Sequence, residues 1–171
     1  MEQSRQDKEW IKKLKTGRED VVLQTLLDLR DAGNNYLLPE IMAVLKKPYC
    51  EEVENAVYNI LNDLNEQSSV DTFMENLPDY ENEDCFHHLI SSCWQNGLDY
   101  SKHLAYFINV ALKMDYKSSF EALTVIEENI NQLEDLEREN LVSKIELTKL
   151  NLSEEKKTLL HELQSIIHPK H

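Results

Sequence analysis

The chain has 171 residues, of which 41% are hydrophobic and 29% are charged, a composition typical of a globular protein long enough to bury a core. Its three glycines and four prolines are too few for the frequent turns of a strand-rich fold, so helices joined by short polar loops are expected. The formal net charge of −14 disfavours binding to nucleic acid or to an anionic membrane.

Compartment and redox state are suggested by the N-terminus and the cysteines. The opening residues, MEQSRQDKEWIKKLK, carry charges throughout and lack the apolar centre of a secretory signal. Cys50, Cys85 and Cys93 form no CxxC pair, and Cys85 and Cys93 fall in an apolar helical pattern that suits reduced cysteines. The longest unbroken apolar runs are only a few residues, so no membrane span is expected, and a cytoplasmic location is the default expectation.

The first strongly periodic stretch, EDVVLQTLLDLRDA, predicts an amphipathic helix over 19–32. It follows residues 1–16, which are expected to be either a helix or a flexible segment. The residues predicted to face inward are Val22, Leu26 and Leu29, with Leu23 and Leu27 widening the apolar stripe.

Pro39 lies near the start of the next apolar stretch, NNYLLPEIMAVLKK (34–47). Residues 33–35 (GNN) tolerate the left-handed conformation and predict the end of the preceding helix. The following helix is predicted to begin at Tyr36. Pro39 then falls in its first turn, where the missing N–H has no helical acceptor, so Pro39 is predicted to start a helix.

A long and a short amphipathic helix then recur along the chain. The further predicted helices are 52–66, 68–77, 84–96, 99–113, 118–130, 132–147 and 153–167. In the first of these the inward residues are Val53, Val57, Ile60 and Leu64. The expected signals at helix ends are a Ser68 or Ser69 cap, closure at Pro78, a stop at Gly97, a Ser153 cap and an end ahead of Pro169.

The spacing of like positions indicates a repeat. Ile41, Phe73, Leu104 and Leu136 occupy corresponding places in successive short helices, separated by 32, 31 and 32 residues. The positions four residues later are Leu45, Leu77, Ile108 and the polar Asn140. A period near 32 with a helix pair in each unit predicts an all-α solenoid of about four repeats over 17–150, capped by a helix over 151–168, in a single domain. An irregular helical bundle is the alternative.

The junction LRDAGNNYLLPEIMAVL (29–45) resembles that of HEAT-like repeats of the phycobilisome lyase type. Leu38-Pro39-Glu40-Ile41 fills the slot where such repeats open their second helix, and Ala43 and Leu45 follow in place. The later junctions are weaker because they lack the proline. This resemblance implies an α-solenoid fold and a general role as a scaffold or adaptor, without implying an activity.

Enzymes built on related repeats are poor matches. The di-iron hydroxylases use recurring His-Glu pairs as ligands, and the only pair here is His161-Glu162, outside the repeats. The DNA glycosylases need a basic groove, whereas the stretch from Pro48 to Ser101 has twelve Asp and Glu and no Lys or Arg. No residue specific to a chromophore can be matched to the lyases.

A metal site is the other catalytic possibility. His and Cys side chains cluster at Cys85, His87, His88, Cys93 and His103. Zinc takes about four converging ligands, but Cys93 faces the apolar stripe while His88 faces the polar one. No metal, cofactor or catalytic residue is therefore predicted, and the chain is expected not to be an enzyme.

The polar faces of the long helices remain as a candidate binding surface. The candidate partner-binding residues are Asp28, Asn55, Tyr58, Asn59, Asn62, His88, Ser92, Trp94, Gln95, Glu121 and Glu128. Because the middle segment is acidic, a basic protein or peptide is the expected partner, although a merely solvated surface is the alternative. Other hypotheses are a small-molecule or enzymatic module using the His, Cys and Trp residues of 84–96, and a homo-oligomer docked through end helices 6–15 or 153–167.

Overall fold

The structure, a computed structural model, describes residues 5–32, 37–148 and 154–167. Over these ranges the protein is all-helical and has no β-strand, which confirms the predicted all-α class. The α-helices are α1 Arg5–Leu14, α2 Glu19–Ala32, α3 Leu38–Met42, α4 Glu51–Asn62, α5 Ser69–Asn76, α6 Phe86–Gln95, α7 Leu104–Lys113, α8 Tyr116–Asn129, α9 Asp135–Thr148 and α10 Glu154–Ile167. Short 3₁₀ segments are Ala43–Lys46, Leu77–Tyr80, Ser101–His103 and Ile130–Gln132.

The helices group into two compact units, Met1–Leu98 and Asp99–His171, within a chain that the sequence predicts to be one domain. In the first unit α2 and α4 pack side by side and run parallel. At their N-terminal ends the backbone N–H of Cys50 donates to Glu19 Oε1 at 3.0 Å, and at their C-terminal ends Arg30 pairs with Asp63 at 2.6 Å. α1 covers α2 and buries Trp10.

In the second unit α7 and α8 pack as an antiparallel pair. Near the start of α7, the backbone N–H of Tyr100 donates at 2.7 Å to Oδ1 of Asn129, the last residue of α8. Asn129 is buried, and its Nδ2 donates to the carbonyl of Val125 at 2.9 Å. Both the oxygen and the nitrogen of its side-chain amide therefore form hydrogen bonds. α10 packs on α7 and α9 and buries Leu160 and Leu163.

Pro39 lies in the first turn of α3, which confirms that it starts a helix. The predicted helix over 36–47 is nevertheless two pieces, because α3 ends at Met42 and a 3₁₀ segment follows. Lys47 then adopts an extended conformation (φ −118°, ψ 145°). Pro48 favours this conformation, because its ring would clash with the backbone of Lys47 if Lys47 were helical.

Other boundaries confirm or correct the predictions. α2 has the predicted bounds, and Gly97 follows α6 with φ 69°, the left-handed conformation expected of a glycine stop. α4 ends at Asn62, four residues early, although Leu64 is still buried and so continues the apolar pattern beyond the helix. Ser68 stands at the N-terminal end of α5 but makes no capping hydrogen bond, because its φ and ψ are already helical.

Two leucines were wrongly predicted to be inside. Leu27 is 42% exposed, since the buried stripe of α2 runs through Thr25 instead. Leu136 is 69% exposed, so α9 does not bury the residue that corresponds to the core positions Ile41 and Phe73. The predicted signals at 33–35, Tyr36, Ser153 and Pro169 lie outside the described residues.

Candidate functional site

A polar groove lies between α4 and α6, which pack side by side in the first unit. The rings of Tyr58 and His88 are 4.8 Å apart between centroids, and Asn62 Nδ2 donates to Gln95 Oε1 at 2.9 Å. Because the two pairs follow the same order along both helices, the helices run parallel. The groove has a volume of about 390 Å³ and is lined by Asn55, Tyr58, Asn59, Asn62, His88, Ser92 and Gln95. We call it the α4–α6 groove.

Helical spacing explains why α4 presents so many amides to this groove. Asn55, Asn59 and Asn62 are separated by four and three residues, so they lie on one face of the helix. The opposite face carries the buried apolar residues Val53, Ala56, Val57, Ile60 and Leu61. Burial of that face fixes the rotation of α4 and leaves the three amides pointing away from the core.

The amides at the C-terminal end of the groove form a directed chain of hydrogen bonds. Asn62 donates to Gln95, and Gln95 Nε2 in turn donates to Ser91 Oγ at 2.7 Å. Asn62 Oδ1 is buried and has no hydrogen-bond partner among the described residues. A buried acceptor without a donor costs roughly 1–3 kcal/mol, which is a local cost of placing this amide between α4 and α6.

Aromatic rings mark the other end of the groove. The ring of His88 contacts those of Tyr58 and His87 in tilted arrangements, with centroid distances of 4.8 and 4.0 Å. Burial raises the pKa of Tyr58 well above its usual value, and the charge that Cys85 acquires at alkaline pH and the charge of Glu54 raise the pKa further. The phenol is therefore neutral near pH 7 and can both donate and accept a hydrogen bond.

Cys85 lies directly before α6, and its thiol is only partly exposed. Burial raises the pKa of the Cys85 thiol to about 11, and the carboxylates of Glu83, Glu54 and Asp84 contribute to the increase. Because its pKa is raised, Cys85 is a neutral thiol near pH 7 and hence a weak nucleophile. Glu54 precedes Tyr58 by four residues on α4, so an acidic side chain shares the helix face that carries Tyr58.

The basic residues that precede α4 most closely in sequence are Lys46, at the end of the 3₁₀ segment after α3, and Lys47. The Lys46 ammonium lies 4.5 Å from the centre of the Tyr80 ring and 3.7 Å from Asp79. Between Pro48 and Ser101 the sequence contains no Lys or Arg. α4 therefore carries acidic residues without any Lys or Arg, and α6 carries neither Asp, Glu, Lys nor Arg.

Seven of the eleven predicted partner-binding residues line the α4–α6 groove. Asp28 lies elsewhere, in a depression of about 490 Å³ formed with α1. Trp94 is 37% exposed but does not line the groove, and Glu121 and Glu128 belong to the second unit.

One predicted site residue, Ser92, differs in exposure. It was predicted to face outward but is buried, and its hydroxyl donates to the carbonyl of His88 at 3.2 Å. α4 packs against α6, and a contact between two helices cannot be read from the pattern within one of them. Ser92 therefore forms part of the groove floor.

The sequence prediction missed the contribution of α1 to the Asp28 depression. Trp10, Glu9 and Lys13 line it together with Asp28 and Asp31. Lys13 pairs with Glu9 at 3.1 Å, and Gln24 donates to Asp28 at 2.9 Å. The i, i+4 spacing of both pairs is visible in the sequence, but the packing of α1 on α2 is not.

The His and Cys residues of 84–96 do not assemble into a ligand set. Cys93 is fully buried, with its sulfur 3.6 Å from the carbonyl of Leu89, whereas His88 is on the exposed side. Over the described ranges no three His, Cys, Asp or Glu side chains converge as they would around a metal ion.

Comparisons of the chain with models of known protein families, with curated proteins and with solved structures gave no match. Among the helices of the described ranges, none is long and apolar enough to cross a membrane.

Proposed function

We propose that this protein is a small α-solenoid of HEAT-like repeats that serves as a non-catalytic scaffold or adaptor and binds a basic protein or peptide. The observation that carries the proposal is the α4–α6 groove, where seven polar side chains meet within a segment, Pro48 to Ser101, that has twelve acidic residues and no Lys or Arg. Basic groups would gain charge complementarity there, whereas nucleic acid and acidic partners would be repelled.

The repeat assignment is supported by hydrogen bonds that join successive long helices at a nearly constant separation. Cys50 to Glu19, Arg30 to Asp63 and Asn62 to Gln95 span 31, 33 and 33 residues. Each bond links like places in neighbouring parallel helices, as a stack of repeats requires. This support covers α2, α4 and α6 of the first unit.

Binding is favoured over catalysis by the chemistry of the groove. Carboxamides such as Asn55 and Asn59 donate and accept hydrogen bonds but do not titrate, so they suit recognition better than proton transfer. Tyr58 and Cys85 are held in their neutral forms. The free state of Cys50, Cys85 and Cys93 also fits the reducing cytoplasm that we propose as the location.

A charge placed in the groove tests the proposal. Asn59→Arg introduces a cation at an exposed groove position, while Asn109→Arg makes the same change at an exposed asparagine on α7. We expect partners bound by the wild type at low salt to be lost with Asn59→Arg and retained with Asn109→Arg. Binding should also weaken between about 0.05 and 0.5 M salt, because screening shortens the range of the electrostatic attraction.

Site-specific photo-crosslinking from position 55 identifies whether a captured protein contacts the groove. A crosslinked partner that is acidic, or whose capture is unaffected by both salt and Asn59→Arg, would contradict the proposed function. Equal loss of binding with Asn59→Arg and Asn109→Arg would place the interaction outside the groove and contradict it as well.

A further inference from the structure

We propose further that this protein forms a symmetric dimer, in which the outward face of α8 packs in antiparallel orientation against the same face of a second copy. The inference goes beyond the proposed function, because the residues that line the α4–α6 groove all belong to α4 and α6. It follows from two exposed aromatic side chains on α8 and from the order of charges along that helix.

Two neighbouring aromatic side chains of α8 are exposed to solvent. Tyr116 is 82% exposed and Phe120 is 56% exposed, and their spacing of four residues places them on one side of the helix. Among the described residues, the other large exposed hydrophobic side chains are Leu27, Trp94 and Leu136, which lie on three different helices. Single exposed apolar side chains are normal, whereas two adjacent rings indicate a contact surface.

The opposite side of α8 is already used within the second unit. α8 packs on α7 and buries Ala122, Val125 and Ile126. The burial of these residues fixes the rotation of α8 and leaves Tyr116 and Phe120 on its outward side. The two rings therefore gain burial by docking to another molecule.

The charge on the outward side of α8 changes sign along the helix. Lys117 lies in the first turn, beside the two rings, and Glu121 and Glu128 follow toward the C-terminal end. Spacings of four and seven residues place these three charged side chains on one strip of the helix. A face with this order of charges is complementary to itself when two copies meet in opposite directions, which favours a second copy as the partner.

An antiparallel pairing centred near Phe120 brings the rings and the charges together. The twofold axis places Phe120 beside Phe120 of the second copy. Lys117 then lies opposite the stretch between Glu121 and Glu128 of that copy, because the axis pairs positions at equal distances from it. A parallel pairing would instead set Lys117 against Lys117 and Glu121 against Glu121, which repel each other.

The size of the aromatic surface indicates a weak dimer. A Tyr or Phe side chain can bury about 150–250 Å², so the exposed fractions of Tyr116 and Phe120 leave roughly 250–300 Å² for each copy to bury. With its polar rim this interface lies at the small end of specific interfaces, which begin at about 1,200 Å² in total. We therefore expect a dissociation constant of roughly 10–100 µM.

Sedimentation equilibrium of the full-length protein, between about 5 and 500 µM, tests for this dimer. We expect a reversible shift from monomer to dimer across that range. The double change Tyr116→Ser with Phe120→Ser should raise the dissociation constant roughly tenfold or more, because both rings are lost from each copy. Leu136→Ser, at an exposed apolar side chain of α9, is the matched control and should leave the dissociation constant unchanged.

Charge reversal tests the antiparallel order. Lys117→Glu leaves only acidic groups on the charged strip, and Glu121→Lys with Glu128→Lys leaves only basic ones. Each of these two proteins alone should dimerise about three- to tenfold more weakly than the wild type, since each change acts twice in a symmetric dimer. An equimolar mixture of the two should form a heterodimer at least as strong as the wild-type dimer. Recovery on mixing cannot arise from a variant that fails to fold.

Several outcomes would overturn the inference. A monomer at every concentration would exclude the dimer, and an equal effect of the aromatic change and of Leu136→Ser would place the contact elsewhere, for example on end helices 6–15 or 153–167. Species larger than a dimer would indicate a head-to-tail contact, and an unchanged dissociation constant with Lys117→Glu would exclude the antiparallel pairing.

Photo-crosslinking from position 116 distinguishes a second copy from a different partner. Capture of another protein there, by a chain that stays monomeric, would show that α8 docks that protein and would overturn the inference. The double change Tyr116→Ser with Phe120→Ser should not alter binding at the α4–α6 groove, because neither residue lines it. Failure of the dimer and failure of the proposed function are therefore measured separately.

Discussion

At the scale of single residues, polar side chains in this protein fix helix ends as well as line the groove. Asp115 caps α8: its Oδ1 accepts from the backbone N–H groups of Lys117 and Ser118, at 2.9 and 3.2 Å, and its Oδ2 accepts from the Ser118 hydroxyl at 2.7 Å. Partial burial opposes ionisation, but these hydrogen bonds outweigh it and lower the pKa of Asp115. Its charged form is therefore stabilised by folding.

We predict that Asp115→Ala lowers the free energy of unfolding by about 1 kcal/mol at pH 7. The folded pKa lies below the unfolded value of roughly 3.9, so the contribution of the charge is complete above that value and is lost as the pH falls through the folded pKa. Urea unfolding at about pH 7 and pH 3 should therefore show a smaller effect of Asp115→Ala in acid.

Ser68→Ala provides the control for this prediction. Ser68 occupies the equivalent position before α5 but makes no capping hydrogen bond, so its removal should change stability little at either pH. An equal loss of stability for the two variants would contradict the prediction that the capping hydrogen bonds of Asp115 stabilise the fold.

At the scale of helices, one long-range contact ties α10 to the end of α7. The Lys156 ammonium donates to the carbonyl oxygens of Ala111 and Met114 at 2.9 and 2.7 Å, and to Ser119 Oγ at 2.6 Å. These carbonyls lie in the last turn of α7 or directly after it, where a positive charge is favoured by the helix dipole.

We predict that Lys156→Met, which keeps the apolar stem, lowers stability by about 2 kcal/mol, because three hydrogen bonds to a charged group are lost. Amide hydrogen exchange should accelerate in α10 more than in α7, since α10 depends on this contact for its attachment. Lys8→Met, at an exposed lysine of α1, is the control and should change neither quantity. Unchanged hydrogen exchange in α10 would contradict the prediction, because it would show that Leu160 and Leu163 hold the helix in place without Lys156.

Helical periodicity explains which of these features the sequence could predict. Residues such as Asn55, Asn59 and Asn62 share a face in any regular helix, so the groove side of α4 was predictable. The burial of Ser92 and the exposure of Trp94 depend on which helix lies alongside, and that is decided by packing between elements far apart in sequence. The partnership of Lys156 with α7 spans up to 45 residues and leaves no local pattern.

At the scale of the whole chain, the regular period of about 32 residues overstated the regularity of the structure. Pro39 marks a real helix start, and Ile41, Phe73 and Leu104 are buried as the period predicts. Leu136, the fourth member, is exposed, because α9 uses Leu141 and Ile145 as buried residues instead. Spacing in sequence predicted the helices well, but it could not specify which face of the last helices would be covered.

The uneven charge of the chain should also be measurable in its stability. The segment from Pro48 to Ser101 has twelve acidic residues and no Lys or Arg, so its carboxylates repel one another over distances comparable to the Debye length at low salt. We predict that Glu66→Lys, at an exposed position in this segment, raises Tm by roughly 1–2 °C at low salt, because it replaces repulsion by attraction worth a few tenths of a kcal/mol.

Glu139→Lys makes the same change of net charge at an exposed position of α9, beside Arg138, and is the matched comparison. It should raise Tm less than Glu66→Lys, or lower it, since a basic neighbour is already present. In about 0.5 M salt the difference between the two variants should disappear as screening shortens the range of both effects. A difference that persists in high salt would arise from local packing, and an equal effect at low salt would show that net charge alone matters.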